Sequence, residues 1–319
     1  MRLATLHNAR PDGELVVVSA DGQRYLSASG LTLIGAIADW DAALPALEKL
    51  AGLLEQGKGG VLDAARIVAP MPRSWQWLDG SAFAQHGELM QIAFHLPPVD
   101  TDRPLMYQGV SDKFYSATDD IPLPSEADGI DFEGEFGVIV DAVPMGVSAE
   151  EAASHIKLLV QINDWSLRAI APVEMKTGFG WVQAKPPCSM APFAVTPDEL
   201  GEDWRDGRIC ADLAVTWNGA PFGLVKGDQM GFSFPELVAH AARSRDLVAG
   251  TIIGSGTVSN AEYATRGSAC ISERRAIEMI ADGKPSTSFM HFGDRVQMEA
   301  RTAQGTTPFG AIDQIVTRA

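Results

Sequence analysis

Short apolar runs rich in β-branched residues, separated by Gly and Asp, set the pattern of the first part of the chain. "RLATLHN", "ELVVVSADG" and "QRYLSAS" read as strands joined by tight turns. "LTLIGAIADWDAALPALEKLAGLLEQG" then carries apolar positions at helical spacing and stops at Gly57. Together these predict a small N-terminal α/β domain over residues 1–70. "VAPMPRSW", with Pro70 and Pro72, reads as the linker into a larger domain over residues 71–319. There, Phe136 to Val140 in "GIDFEGEFGVIVD" predict a strand. In "VSAEEAASHIKLLVQIND", Ser148 and Glu151 fit a capping box, and Ala152, Ile156 and Leu159 fall on one helical face. "ADLAVTWNGAPFG" predicts a hairpin at Asn218-Gly219. "SFPELVAHAARSRDLVAG" predicts a helix capped by Ser233 with Pro235 in its first turn. "DRVQMEARTAQGTTPFGAIDQIV" adds further strand. The fold class is therefore α+β, mainly β, without the regular strand–helix alternation of a doubly wound nucleotide-binding fold.

Charge narrows the function classes. The chain has 41 acidic against 25 basic residues, a formal charge of -16. That argues against sequence-independent binding to nucleic acid or to an anionic membrane, since both require a basic surface. With 46% apolar and 21% charged residues the composition is that of an ordinary globular protein. Neither a signal-type start nor an apolar run of membrane-spanning length is visible, so a cytoplasmic location is expected. Cys188, Cys210 and Cys270 are odd in number and far apart, and read as small buried side chains.

Candidate chemistry centres on Glu133 and Glu135. Side chains two apart in a strand share a face, so these anions are neighbours and need a positive partner or water. Asp164 closes the apolar run "IKLLVQIND" and supplies a third carboxylate. Three such groups suit a hard divalent ion, Mg²⁺ or Mn²⁺, with positions left for substrate. Neutralisation of the glutamates by Arg168 or Lys185 fits the same spacing, and the pattern leaves both open. His86 with Glu88 nearby is a possible base with an orienting carboxylate. His7, His155, His240 and His291 read as structural. "GSGTVS", Gly254 to Ser259, lacks the third glycine of a dinucleotide fingerprint and fits a backbone-exposing loop beside a site. Neither a GxSxG elbow nor an HExxH helix occurs.

The order of several segments is more informative than any one of them. "PLMYQGVSDKFYSATDDIPLPSEADGIDFEGEFGVIVD", "NDWSLRAI", "VQAKPPCSMAPFAVTPDEL", "WNGAPFG", "GTIIGSGTVSN" and "FGDRVQME" together resemble the fumarylacetoacetate hydrolase family, from about Ala69 to the C-terminus. The resemblance implies a mixed β-roll or sandwich, a homodimer, and Mg²⁺ (or Mn²⁺ or Ca²⁺) held by Glu133, Glu135 and Asp164. It implies that Lys185, Thr257 and Tyr107 contact substrate. "DGSAFAQHGEL" aligns with the lid segment of smaller members, GxNYxxHxxE, which puts His86 at the catalytic histidine and Glu88 one residue short of its glutamate. Gly109 stands where that family carries a lysine. The segment DFYSSRQH of larger members, set against "KFYSATDD", would put Lys113 at an aspartate ligand and Asp120 at the histidine, so the smaller-member alignment is adopted. The implied function is metal-dependent cleavage of a C–C bond in an acylpyruvate- or fumarylacetoacetate-like 1,3-dicarbonyl acid, as in aromatic catabolism. His86, Glu88 and Lys185 would be the catalytic residues, and a small oxo acid the partner. Decarboxylation, tautomerisation or hydration of a 2-oxo acid at the same site is the alternative, as is a metal-binding homodimer without turnover.

Overall fold

A computed structural model describes residues 1–95, 97 and 102–319. Strands predominate and form two main sheets. In the larger sheet, the strand Gly134–Val140 pairs antiparallel with Ile156–Asn163 on one side and with Ile252–Gly254 on the other. Ile252–Gly254 pairs parallel with Trp77–Gly80, and Trp77–Gly80 pairs antiparallel with Met106–Gly109. The N-terminal strands Arg2–Leu6, Glu14–Val18 and Arg24–Ser27 extend this same sheet, joined through Arg2 opposite Val195 and Leu3 opposite Ala194. Ala69 and Met71 are buried, and the Thr5 hydroxyl donates to the Pro70 carbonyl, so the two-proline segment is packed chain.

Alternation along the strands divides the core. Phe136, Val138, Val140 and Leu159 face one cluster, which also holds Leu213, Val215, Val296, Met298 and Ile312 of the second sheet. Ile139, Leu158, Val160 and Ile162 face the other, shared with the helices Leu33–Ala38 and Trp40–Glu55. This is the sandwich logic of inward and outward positions with period two. The second sheet runs Ala220–Lys226, Asp212–Trp217, Arg295–Arg301, Ala311–Arg318 and Ile121–Leu123. Gln161 ties the sheets together: its amide donates to the Met298 carbonyl and its oxygen accepts from Ala300 N.

The Asn218-Gly219 hairpin is present, with both residues at positive φ as a two-residue turn demands. The Ser233–Glu236 capping box opens the helix Phe234–Ala241. The Ser148–Glu151 box is also formed, but its helix is only Ala149–Ala152. Ile156 and Leu159, expected on a helical face, lie in the strand Ile156–Asn163. Pairing of this β-branched run with Gly134–Val140 outweighs its helical spacing. Two further helices, Ala84–Phe94 and Ile271–Asp282, pack against each other through Leu89, Ala93 and Ala276.

Trp77 is fully buried between strands that make room for it with glycine. A Cβ on Gly109 would lie 2.3 Å from its ring, and one on Gly254 would lie 2.3 Å from the ring and 2.5 Å from an Asp79 oxygen. The indole therefore excludes a lysine at 109 and fixes the strand that carries Asp79. Gly254→Ala is expected to cost roughly 1–3 kcal/mol through overpacking, read as a lower denaturation midpoint; an unchanged midpoint would contradict this packing.

Candidate metal centre and its histidine

Asp79 stands on the strand Trp77–Gly80 opposite Tyr107 on one neighbour and Gly254 on the other. Glu135 stands on the adjacent part of the same sheet, opposite Ile162. Asp164 follows the strand Ile156–Asn163 directly, and its N–H donates to the Glu133 carbonyl at 2.9 Å. Asn163 Oδ1 accepts from Glu133 N at 3.0 Å, so the turn is locked to the acidic strand. Carboxylate oxygens of Asp79, Glu135 and Asp164 lie within 4.8 Å of one another, and all three residues are buried.

Glu133 has a different environment. Its oxygens accept from Arg168 on one side and from Lys185 Nζ, at 2.5 Å, on the other. Lys185 reaches Asp164 Oδ2 as well, at 2.6 Å, and Arg168 holds Asp131 at 2.8 Å. Both readings of the acidic pair are thus partly realised. Asp164 does converge on the glutamates, and Lys185 fills the gap between Asp164 and Glu133. The third oxygen beside Glu135 and Asp164 belongs to Asp79, which the expected set of Glu133, Glu135 and Asp164 omits.

Burial sets the electrostatics. Desolvation, with the Asp164 charge next, pushes the Asp79 carboxyl up to about 8. Desolvation and neighbouring Asp79 push Glu135 well above the carboxylate range. For Glu133 burial acts in the same direction, but the Arg168 and Lys185 cations override it and hold the carboxyl low. Burial would lower Lys185; Asp164 and Glu133 hold its ammonium charged. Tyr107 donates to Asp164 Oδ2 at 2.5 Å, and Cys188 Sγ to Asp164 Oδ1 at 3.0 Å.

The donor set fits a hard divalent ion. Neither oxygen of the fully buried Glu135 meets an N–H or hydroxyl donor among the described residues; its hydrogen-bonding neighbour is the Asp79 carboxyl. Five carboxylates (Asp79, Asp131, Glu133, Glu135 and Asp164) surround two cations, Arg168 and Lys185. An all-oxygen group of this kind is a candidate site for a hard cation, which would favour the ionised forms of Asp79 and Glu135.

His86 lies in the helix Ala84–Phe94, with Nδ1 2.8 Å from Glu273 Oε2. The orienting carboxylate is therefore Glu273, fully buried on the helix Ile271–Asp282; Glu88 is exposed. The two-residue spacing from His86 to Glu88 on a helix points the side chains apart. Thr257 is buried in the loop after Ile252–Gly254, and Gly256 N donates to Asp79 Oδ1 at 2.9 Å. Positive φ at Gly256 and a would-be Cβ 2.2 Å from the Gly80 carbonyl make glycine obligatory there. Lys113 packs over the Tyr115 ring, and Asp120 is exposed. The aspartate and histidine of DFYSSRQH are instead matched in spacing by Asp79 and His86 in "DGSAFAQH", seven residues apart with Gln85 before the histidine. That spacing could have identified Asp79. Glu273, in "ISERRA", gives no such signal, because an acid among arginines reads as a solvated helix face.

Comparison with known proteins bears on the family and the fold. A 2,4-didehydro-3-deoxy-L-rhamnonate hydrolase of Sphingomonas sp. (strain SKA58) is 28% identical over 163 residues, 50% of this chain and 54% of that enzyme, so the match spans about half of the relative's length. A mitochondrial oxaloacetate tautomerase of Bos taurus is 24% identical over 248 residues, 70% of this chain and 73% of that protein. The crystal structure of maleylpyruvate hydrolase from Sphingobium sp. SYK-6 with manganese(II) and pyruvate superposes with a TM-score of 0.68 at 16% identity, covering 100% of both chains, which speaks to the fold. The fumarylacetoacetase N-terminal domain 2 model matches residues 1–73, and the fumarylacetoacetate hydrolase C-terminal model matches residues 76–317. The chain belongs to the fumarylacetoacetate hydrolase family.

Proposed function

We propose that the protein is a divalent-metal-dependent hydrolase that cleaves a C–C bond in an acylpyruvate-like 1,3-dicarbonyl acid. The observation that carries this reading is the buried Asp79–Glu135–Asp164 carboxylate group together with a His86–Glu273 couple whose imidazole lies within 4.8 Å of a Glu133 oxygen. Asp79, Glu135 and Asp164 would hold Mg²⁺ or Mn²⁺, with Glu133 beside them. A bound ion would supply a Lewis acid for the oxo acid. Glu273 accepts the Nδ1–H of His86 and so leaves Nε2 free to take a proton from water. That water adds to the distal carbonyl carbon. The bond to the central carbon then breaks, and Lys185 offers its charge to the oxygen of the leaving enolate. Tyr107 and Thr257 line the acid, with Tyr107 also steadying Asp164.

Tautomerisation of a 2-oxo diacid is the second reading. It is favoured by the oxaloacetate tautomerase relative, of which the match covers 73%. The same His86–Glu273 couple could move a proton to and from carbon without water. Product analysis on a panel of oxo acids separates the two: hydrolysis gives two organic fragments, tautomerisation gives one isomer.

Glu135→Gln is expected to weaken Mn²⁺ binding on the order of 100-fold or more. His86→Asn should keep the ion and lose roughly 10²–10⁴ in kcat. Calorimetric titration and acylpyruvate cleavage check the pair; unaltered metal affinity in Glu135→Gln would sink the ligand assignment.

A pH dependence follows from Asp79. Its carboxyl stands at about 8 against an ordinary 3.8, so between those values the metal-free folded state binds more protons than the unfolded chain. The stability it contributes is full below about pH 4 and is lost as pH rises towards 8. A bound ion needs the ionised carboxylate, so the rise in Tm given by Mg²⁺ should grow from about pH 6 to about pH 8. A rise that is flat or shrinks across that window contradicts the account.

A further inference from the structure

We propose that His86, Glu133 and Cys270 form a second metal site, which shares Glu133 with the acidic group but adds nitrogen and sulfur donors, and is selective for a thiophilic divalent ion such as Zn²⁺. One ligand atom from each lies within 4.8 Å of the others. Imidazole, carboxylate and thiolate are the ligand types zinc takes, whereas Mg²⁺ prefers oxygen alone. Tetrahedral zinc spaces its ligand atoms about 3.5 Å apart, so any pair of the set near the 4.8 Å bound would draw closer on binding.

Three features pre-form the group. Glu133 and Cys270 face each other across an isolated antiparallel bridge, and Gly134 N donates to the Ala269 carbonyl at 2.9 Å, which fixes that half of the site in the backbone. Cys270 is buried and caps the helix Ile271–Asp282, its Sγ accepting from Glu273 N at 3.3 Å. His86 is already oriented through Nδ1 by Glu273, the carboxylate–histidine–metal arrangement found behind zinc ligands. Glu133 would exchange one of its two cation contacts for the ion, and Arg168 would keep its contact with Asp131.

The consequence for activity rests on the proposed function. An ion held there takes His86 Nε2, the nitrogen assigned to proton transfer, and pins the helix Ala84–Phe94 to the Cys270 end of Ile271–Asp282. Zinc would then inhibit an enzyme that Mg²⁺ or Mn²⁺ supports.

The test uses the whole Mg²⁺-loaded protein titrated with Cd²⁺, whose bond to a thiolate gives a charge-transfer absorption. One equivalent should produce the band in the unaltered protein and in Cys188→Ser, and none in Cys270→Ser, where serine keeps the helix cap. His86→Asn should weaken the binding at least tenfold. In parallel, Cys270→Ser should raise the Zn²⁺ concentration for half-inhibition at least tenfold. No band, or a band that survives in Cys270→Ser, overturns the site. A Cys270-dependent band without loss of turnover keeps the site and overturns the role of His86 as the base.

Discussion

Five carboxylates withdrawn from water around two cations make up the interaction on which the rest of this structure depends. An isolated buried carboxylate is tolerated only when protonated or neutralised. Lys185 and Arg168 neutralise Glu133, Asp131 and one side of Asp164. At Asp79 and Glu135 burial and the neighbouring carboxylates outweigh the pull of Lys185, and both resist ionisation as the structure stands. A divalent ion would remove that imbalance, and the fold invests heavily in holding the group together. Tyr107, Cys188 and Gly256 each bond a member of the oxygen cluster, while Asn163 fixes the backbone at Glu133.

The surrounding elements make sense in that light. Glycine at 254, 256 and 109 lets Trp77, Asp79 and the following loop approach within distances that a side chain would forbid. Asp131 joins the network to the helix Ile271–Asp282 by accepting from Ile271 N and Ser272 N, at 2.7 and 2.9 Å. The same helix carries Glu273 to His86. Arg168, through Asp131 and Glu133, thus links the acidic strand to the helix that orients the histidine. Gly109, where smaller members carry a lysine, faces the Trp77 ring, so the positive charge in this centre comes from Lys185 and Arg168.

Much of this was legible in the sequence, and what was missed has physical causes. The acidic pair before an apolar run, the aspartate after "LLVQIN" and the lysine before two prolines were visible because charge inside apolar segments is costly. The hairpin at Asn218-Gly219 and the cap at Ser233 announce themselves through local turn and capping chemistry. The run from Ile156 misled because helical and strand spacing coincide over so short a stretch, and only its partner strand decides. Asp79 hid in a short strand beside tryptophans, although its distance from His86 carried the information. Glu273 could not be found locally, since it reaches His86 across 187 residues of chain.

The most direct test of the central claim is anomalous diffraction at the manganese edge from crystals grown with Mn²⁺. The account predicts a single peak among the Asp79, Glu135 and Asp164 carboxylates, at about 2.0–2.3 Å from an oxygen of each. An absence of density there at saturating Mn²⁺, with Lys185 alone bridging Glu133 and Asp164, would contradict it.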